Sequence, residues 1–341
     1  MWRAPEMPRN VESKMNSDRN FEARLDSLRE KAQQGGSVPG RGVDVVGGPI
    51  PRRPGYYGEA VVRPPVWTWE IPLYFFVGGA AGMAPLIAST ALILGQFALA
   101  NVALWIAGIG AIVSPILLTM DLGRPELFLN MLRVFKYRSP MSVGAWVLSL
   151  FGAFAVPAWL IMLLYVNDAF APSIHLPVLA IIGLLTIPAA VFGLALATYT
   201  GVLIGATAIP AWFLHRVLLP IHFGTAGLGC TAAILELCGF AIRPLYWIGM
   251  LAAAIETILW IWLEIDRHGA ADRALHEGSS GWLIRGGEFF SGPLPVILRL
   301  TNLVPLAAVS FLLGAFLSRF GWIAAGRISG GDPEAVFASQ R

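Results

Sequence analysis

The chain has 341 residues, 56% of them hydrophobic and 13% charged, with a mean hydropathy of +0.66. Soluble domains carry roughly 25% charged residues, so a soluble globular enzyme and a disordered chain are both excluded. Residues 1–66 hold 11 of the 24 Lys and Arg and 8 of the 21 Asp and Glu, so the net charge of +3 says less than where the basic residues sit.

The first 66 residues are polar. They open Met1-Trp2-Arg3 with no apolar core and no twin-arginine pattern, which reads against a secretory signal. Ser17–Gln34 is predicted as a short helix, since Phe21, Leu25 and Leu28 fall on one face and Gly35-Gly36 stops it. Glycine and proline punctuate the linker from there to Pro65. So narrow an apolar stripe supports no domain: residues 1–66 read either as a solvated arm that docks on a partner or as a disordered tail.

From Ile71 to Met120 there is no charged residue. A helix crosses the roughly 30 Å hydrocarbon layer in about 20 residues, so this stretch holds two spans with a turn near Gly95–Asn101. A third is expected over Met141–Val166. A fourth, Leu176–Thr207, is long enough to tilt or to kink at Pro188. The fifth and sixth are Val217–Cys238 and Ile242–Glu264. After the polar loop Ile265–Gly281, Leu283–Leu300 is a marginal crossing burdened by Arg285, Glu288 and Arg299, and Asn302–Ala325 is the last. The expected fold is an all-α integral membrane protein with eight transmembrane helices, or seven if the marginal one fails. Its body covers 67–326 and a polar tail follows at 327–341. Eight crossings put both termini on one side, and that side collects Arg133, Lys136, Arg138, Arg216, Arg267 and Arg273 among others. The positive-inside rule makes it cytoplasmic.

Redox ligands are scarce. Cys230 and Cys238 are the two cysteines and form no C-x-x-C, so neither an iron–sulfur cluster nor structural zinc is expected within the chain. Of five histidines only His222 lies convincingly inside a span, which leaves no facing pair for a haem. Ionisable groups in lipid are costly and are functional candidates by default. His222, Glu236 and Glu256 qualify as a proton relay if the fold brings them together. Asp121 and Arg124 end the second span, and Arg319, near the end of the last, reads either as a snorkelling boundary group or as a functional one. Small residues at Gly78, Gly79 and Gly82 admit a close neighbour, whether another helix or a flat ring. Tyr74, Tyr199 and Thr200 offer hydroxyls beside such notches, for a quinone carbonyl or for a neighbouring helix.

Four segments in order resemble the NrfD-like polysulfide reductase membrane subunits. They are Trp69…Tyr74–Gly82, Asp121-Leu122-Gly123-Arg124-Pro125 with Ser139–Trp146, Tyr199–Leu203 with Pro210-Ala211-Trp212, and Arg319–Arg327 with Asp332-Pro333. The likeness covers about Tyr56–Arg341. It departs where members have a fuller seventh helix or a histidine in the first span. What the resemblance implies is a multi-pass subunit of a bacterial-type cytoplasmic membrane, built as two four-helix bundles and binding menaquinone or ubiquinone. It would exchange electrons with a docked iron–sulfur, ferredoxin-like subunit that serves a molybdopterin or other redox catalytic subunit. The implied quinone pocket comprises Tyr74, Gly78, Gly79, Gly82, Asp121, Arg124, Tyr199 and Thr200. Quinones bring their own redox chemistry, so the protein need supply only a slot, hydrogen bonds and a proton route. A secondary transporter or proton channel using the buried carboxylates is the competing reading, and an anchor without quinone the third. Nothing points to nucleic acid.

Overall fold

In lipid every backbone N–H and C=O must be satisfied within its own segment, so long apolar runs have to be helices. The computed structural model describes residues 62, 65, 67–121 and 125–339, and no strand occurs among them. The expected helix at Ser17–Gln34, nearly all of the 1–66 arm, and Arg124 lie outside the described residues. Helices α1 (Glu70–Ile93), α2 (Phe97–Met120), α3 (Pro140–Val166) and α4 (His175–Gly205) come first. The short α5 (Pro210–Leu214) leads to α6 (Leu218–Leu237) and α7 (Arg243–Ile265). Then follow α8 (Arg273–His276), α9 (Gly278–Ser291), α10 (Pro293–Leu300), α11 (Val304–Gly331) and α12 (Pro333–Ala338). Seven of the described helices, α1–α4, α6, α7 and α11, are long and apolar enough to cross a membrane, so this is a multi-pass membrane protein.

Local chemistry sets the boundaries. The α1–α2 turn needs the left-handed backbone that Gly95 adopts with φ of 71°. Proline opens α3, α5, α9's successor α10 and α12, where its missing N–H costs nothing. Helix α4 runs unbroken through Pro188. Helix α11 continues past the expected boundary at 326, and Asp332 caps α12 by accepting from the Glu334 N–H at 2.9 Å.

Leu283–Leu300 departs from an unbroken span. Pro293 lacks a donor and disfavours helical geometry in the residue before it, so Gly292 breaks the helix with φ −101° and ψ −99°. Neither piece reaches crossing length, yet together they follow α7 from end to start. Arg285 on α9 donates from Nε to Glu264 Oε1 near the end of α7 at 2.8 Å. At the far end, Tyr246 near the start of α7 donates its hydroxyl to the Arg299 carbonyl at 3.2 Å. Helices α9 and α11 run antiparallel: Ile284 lies against Gly321, Gly287 against Ser318 and Ser291 against Gly314.

Outward faces are apolar at helical spacing, as at Leu184, Ile187, Val191 and Leu194 on α4, which suits lipid contact. Inside, the buried indoles Trp212 and Trp322 tie one end together. Trp67 stacks on Trp212 with centroids 5.6 Å apart. Trp212 Nε1 donates to the Trp322 carbonyl at 2.8 Å, and the Ala211 N–H to Ser329 Oγ at 3.4 Å.

Candidate functional site

Four helices converge on one buried ionic cluster. His222 comes from α6, Glu256 from α7, Glu288 from α9, and Ser318 and Arg319 from α11; all five are at most 2% exposed. His222 Nδ1–H donates to Glu256 Oε2 at 2.5 Å. Its other nitrogen, Nε2, lies 2.9 Å from Ser318 Oγ, 3.1 Å from Arg319 Nη1 and 3.4 Å from Glu288 Oε1. Ser318 donates to Glu288 Oε1 at 3.0 Å. Arg319 also donates to the Phe223 carbonyl at 3.2 Å and lies over the Phe223 ring at 3.8 Å, a cation–π contact that helps hold the charge in place. Three polar atoms keep unused capacity: Glu256 Oε1, Glu288 Oε2 and Arg319 Nε have no partner among the described residues.

The expected relay is thus joined in part. His222 and Glu256 touch, and Glu236 stands apart. It lies on α6 roughly 21 Å further along the axis, at 1.5 Å rise per residue, where its Oε1 and Oε2 accept from Arg299 Nη1 and Nη2 at 2.7 Å each. That pair is closed by Arg299 Nη1 donating to the Tyr246 carbonyl at 3.3 Å. Glu288, which the sequence suggested only as a burden on a marginal helix, and Arg319, which it left open between an interfacial and a functional group, complete the cluster.

The residues expected to form a quinone pocket divide among several contacts. Gly82 meets the Gly193 backbone of α4, and Gly79 approaches Gly227 of α6. Tyr199 donates to the Pro140 carbonyl at 2.5 Å and packs over Gly144. Thr200 bonds back to Ala197 in its own helix at 3.1 Å. Asp121 accepts from the Thr68 N–H at 3.4 Å. Tyr74 is buried, with no hydrogen bond among the described residues, and its ring flanks Gly78. Beside the same face of Gly78 stands Ser114 Oγ of α2, fully buried and without a partner among the described residues. On the opposite face of α2 from Ser114, at 3.6 residues per turn, Pro115, Ile116, Thr119 and Met120 form a shallow, outward-facing apolar surface. Ser114 was missed because one serine in an apolar helix usually bonds to its own backbone.

A second polar group lies in the loops after α5 and α7. Asp272 is buried and accepts from His215 Nε2 at 3.1 Å, and from His268 at both its backbone N–H (2.7 Å) and Nδ1 (3.0 Å). Burial alone would push the Asp272 carboxyl up, but these donors outweigh it and hold it below the usual carboxylate range. Burial pushes nearby His276 below the usual imidazole range, against the opposing pull of Glu264.

The description "Polysulphide reductase, NrfD" belongs to a family model that matches residues 60–328. No curated protein matches the sequence. The chain belongs to the NrfD polysulphide reductase family, whose members are membrane subunits of redox enzyme complexes.

Proposed function

We propose that this chain exchanges electrons between a membrane quinone and a docked iron–sulfur subunit, and that protons move through the His222 cluster. The observation that carries the reading is the fully buried Ser114 hydroxyl, which has no partner among the described residues and lies beside Gly78 and the Tyr74 ring. A buried hydroxyl without a partner is costly unless something uses it. These residues fit menaquinone or ubiquinone. When bound, the quinone carries the electrons and the protons that accompany them. Ser114 and Tyr74 offer it hydrogen bonds beside Gly78, and Asp121, seven residues and about two turns from Ser114 along α2, can accept a proton. Gly79, Gly82, Tyr199 and Thr200 act one step away, by packing the helices that shape the slot.

The proton route follows from the cluster's connectivity. With His222 protonated at Nδ1 alone, Glu256 accepts from it and Arg319 donates to Nε2. A second proton on Nε2 finds Ser318 Oγ at 2.9 Å, and Ser318 already points its own proton at Glu288. His222, Ser318 and Glu288 therefore form a chain along which a proton can hop without moving the backbone. Glu236, bound to Arg299, serves the fold in this reading.

The topology is part of the proposal. Helices α9 and α10 act as one interrupted crossing, the eighth, since they return along α7 and run antiparallel to α11. Helices α1–α4 and α6–α11 then make two four-helix bundles. The start of α1 and the end of α11 share one side, as their common contacts with α5 support, and its arginines make it the cytoplasmic face. The iron–sulfur subunit docks there, followed by a molybdopterin or other redox catalytic subunit.

The test is quinol-dependent reduction of the iron–sulfur clusters in the purified complex, followed by electron paramagnetic resonance. Ser114→Ala with Tyr74→Phe should raise the quinol KM while leaving cluster reduction by dithionite intact. An unchanged KM overturns the slot. Glu288→Gln should slow proton uptake coupled to quinol turnover while leaving quinol affinity alone, and normal uptake overturns the relay.

A further inference from the structure

The sequence gives no reason to expect a metal, because the residues concerned are scattered over two loops. Folding brings His215, at the end of α5, to His268 and Asp272, which follow α7. Each of the three can present one donor atom, and these atoms all lie within 4.8 Å of one another. The separations His215 Nε2 to Asp272 Oδ1, 3.1 Å, and His268 Nδ1 to Asp272 Oδ2, 3.0 Å, approach the edge of a tetrahedron of donors about 2.0–2.1 Å from a common ion. His215 and Asp272 are buried at 4% and 1% exposure, whereas His268 is open, so the group is fixed at two corners and reachable at the third. A water-sized cavity of about 40 Å³ adjoins it, lined by His215, Asp266 and the apolar Leu214, Val217, Leu218, Trp262 and Leu263. Asp266 lies 3.8 Å from His268 Nε2, the ring nitrogen that faces away from Asp272 and would carry the proton when Nδ1 binds an ion.

We propose that His215, His268 and Asp272 form a zinc site that staples the α5–α6 junction to the loop after α7, with a water in the cavity as the fourth ligand. The donor set, two imidazoles and a carboxylate, suits Zn2+ better than Mg2+ or Ca2+, which prefer all-oxygen shells. Neutral imidazole binds the ion once its proton sits on the other ring nitrogen, so binding requires only a change of tautomer. The site stands independently of quinone binding and of the buried His222 cluster.

Full-length protein carrying no polyhistidine tag, purified in detergent and stripped with EDTA, is equilibrated with Zn2+, desalted and assayed by mass spectrometry. About one zinc per chain should remain, and Co2+ in its place should give the visible absorption of a tetrahedral site. Because His268 is exposed, His268→Gln should fold normally and still lose zinc affinity by about tenfold or more, since even outer-shell losses reach that size. Asp272→Asn should lose it as well, and His276→Gln should keep it. Zinc should raise the thermal midpoint of the parent and leave that of His268→Gln unmoved. Failure of the parent to retain zinc overturns the site, as does equal retention by His268→Gln.

Discussion

Helices α1–α4 and helices α6–α11 are held together by different means. Among the described residues the first group buries no charged side chain, and its axes approach through glycine: Gly82 against Gly193, Gly110 against Ala81, Gly144 under the Tyr199 ring. The second group buries His222, Glu256, Glu288, Arg299 and Arg319, and uses glycine partly to make room for them, as Gly249 does for the Arg299 guanidinium. Lipid tails are as apolar as leucine, so association in a membrane depends on close packing and on polar partners rather than on hydrophobic burial. Close packing tolerates no added volume. Polar partnership tolerates no missing member.

The largest effect should come from breaking a polar partnership. Arg299→Met leaves Glu236 ionisable, buried and unmatched, a loss of about 3–5 kcal/mol for a broken buried pair, read as a lower thermal midpoint in detergent. Replacing both with Met should recover most of it, because a desolvated pair adds little over apolar side chains of similar volume. A double variant as unstable as the single one would mean that Arg299 acts through Tyr246 rather than through Glu236. The matching change in the first group is Gly193→Val. A side chain there runs into the Gly82 carbonyl, so the helices must part at a cost of about 1–3 kcal/mol. Gly183→Val, on the same helix but facing open space, should fall within about 0.5 kcal/mol of the parent. Equal effects at 183 and 193 would show that glycine matters there for backbone reasons and not for close approach.

Much of the crossing pattern is legible because the bilayer imposes it: the uncharged run Ile71–Met120 has no other physical solution than two helices and a turn. His222 and Glu256 are legible for the same reason, each being ionisable among apolar neighbours. Their partners are less so. Glu288 sits in a segment that also carries Arg285 and Arg299, so its local composition suggests an interface. Only the fold sends those three side chains to three different places, Glu264, Glu236 and the His222 cluster. Arg319 reads as a boundary residue if its helix stops at Ala325, but α11 continues to Gly331 and places Arg319 in the interior. The Gly292-Pro293 break has a local signal, while the fact that both pieces follow α7 does not. Ser114 is invisible in the sequence, since whether a helical serine bonds to its own backbone depends on the neighbour opposite.

The smallest effect should come at the seam between the groups, where both means of contact meet. Gly79 of α1 faces Gly227 of α6, and one turn further along α6 Thr231 donates to the Ala80 carbonyl at 2.7 Å and to the Gly227 carbonyl at 3.0 Å. The hydroxyl hydrogen is shared, and both acceptors lie inside helices, so neither carbonyl is orphaned when Thr231 is removed. Thr231→Val keeps the shape and deletes only the bond. Interhelical hydrogen bonds in membranes average about 0.6 kcal/mol, so the thermal midpoint should fall slightly and quinol turnover should be unchanged. If the seam instead transmits motion between slot and relay, Thr231→Val will uncouple proton uptake from quinol oxidation at nearly normal stability. That result would replace a picture of two rigid groups in contact with one of a hinge.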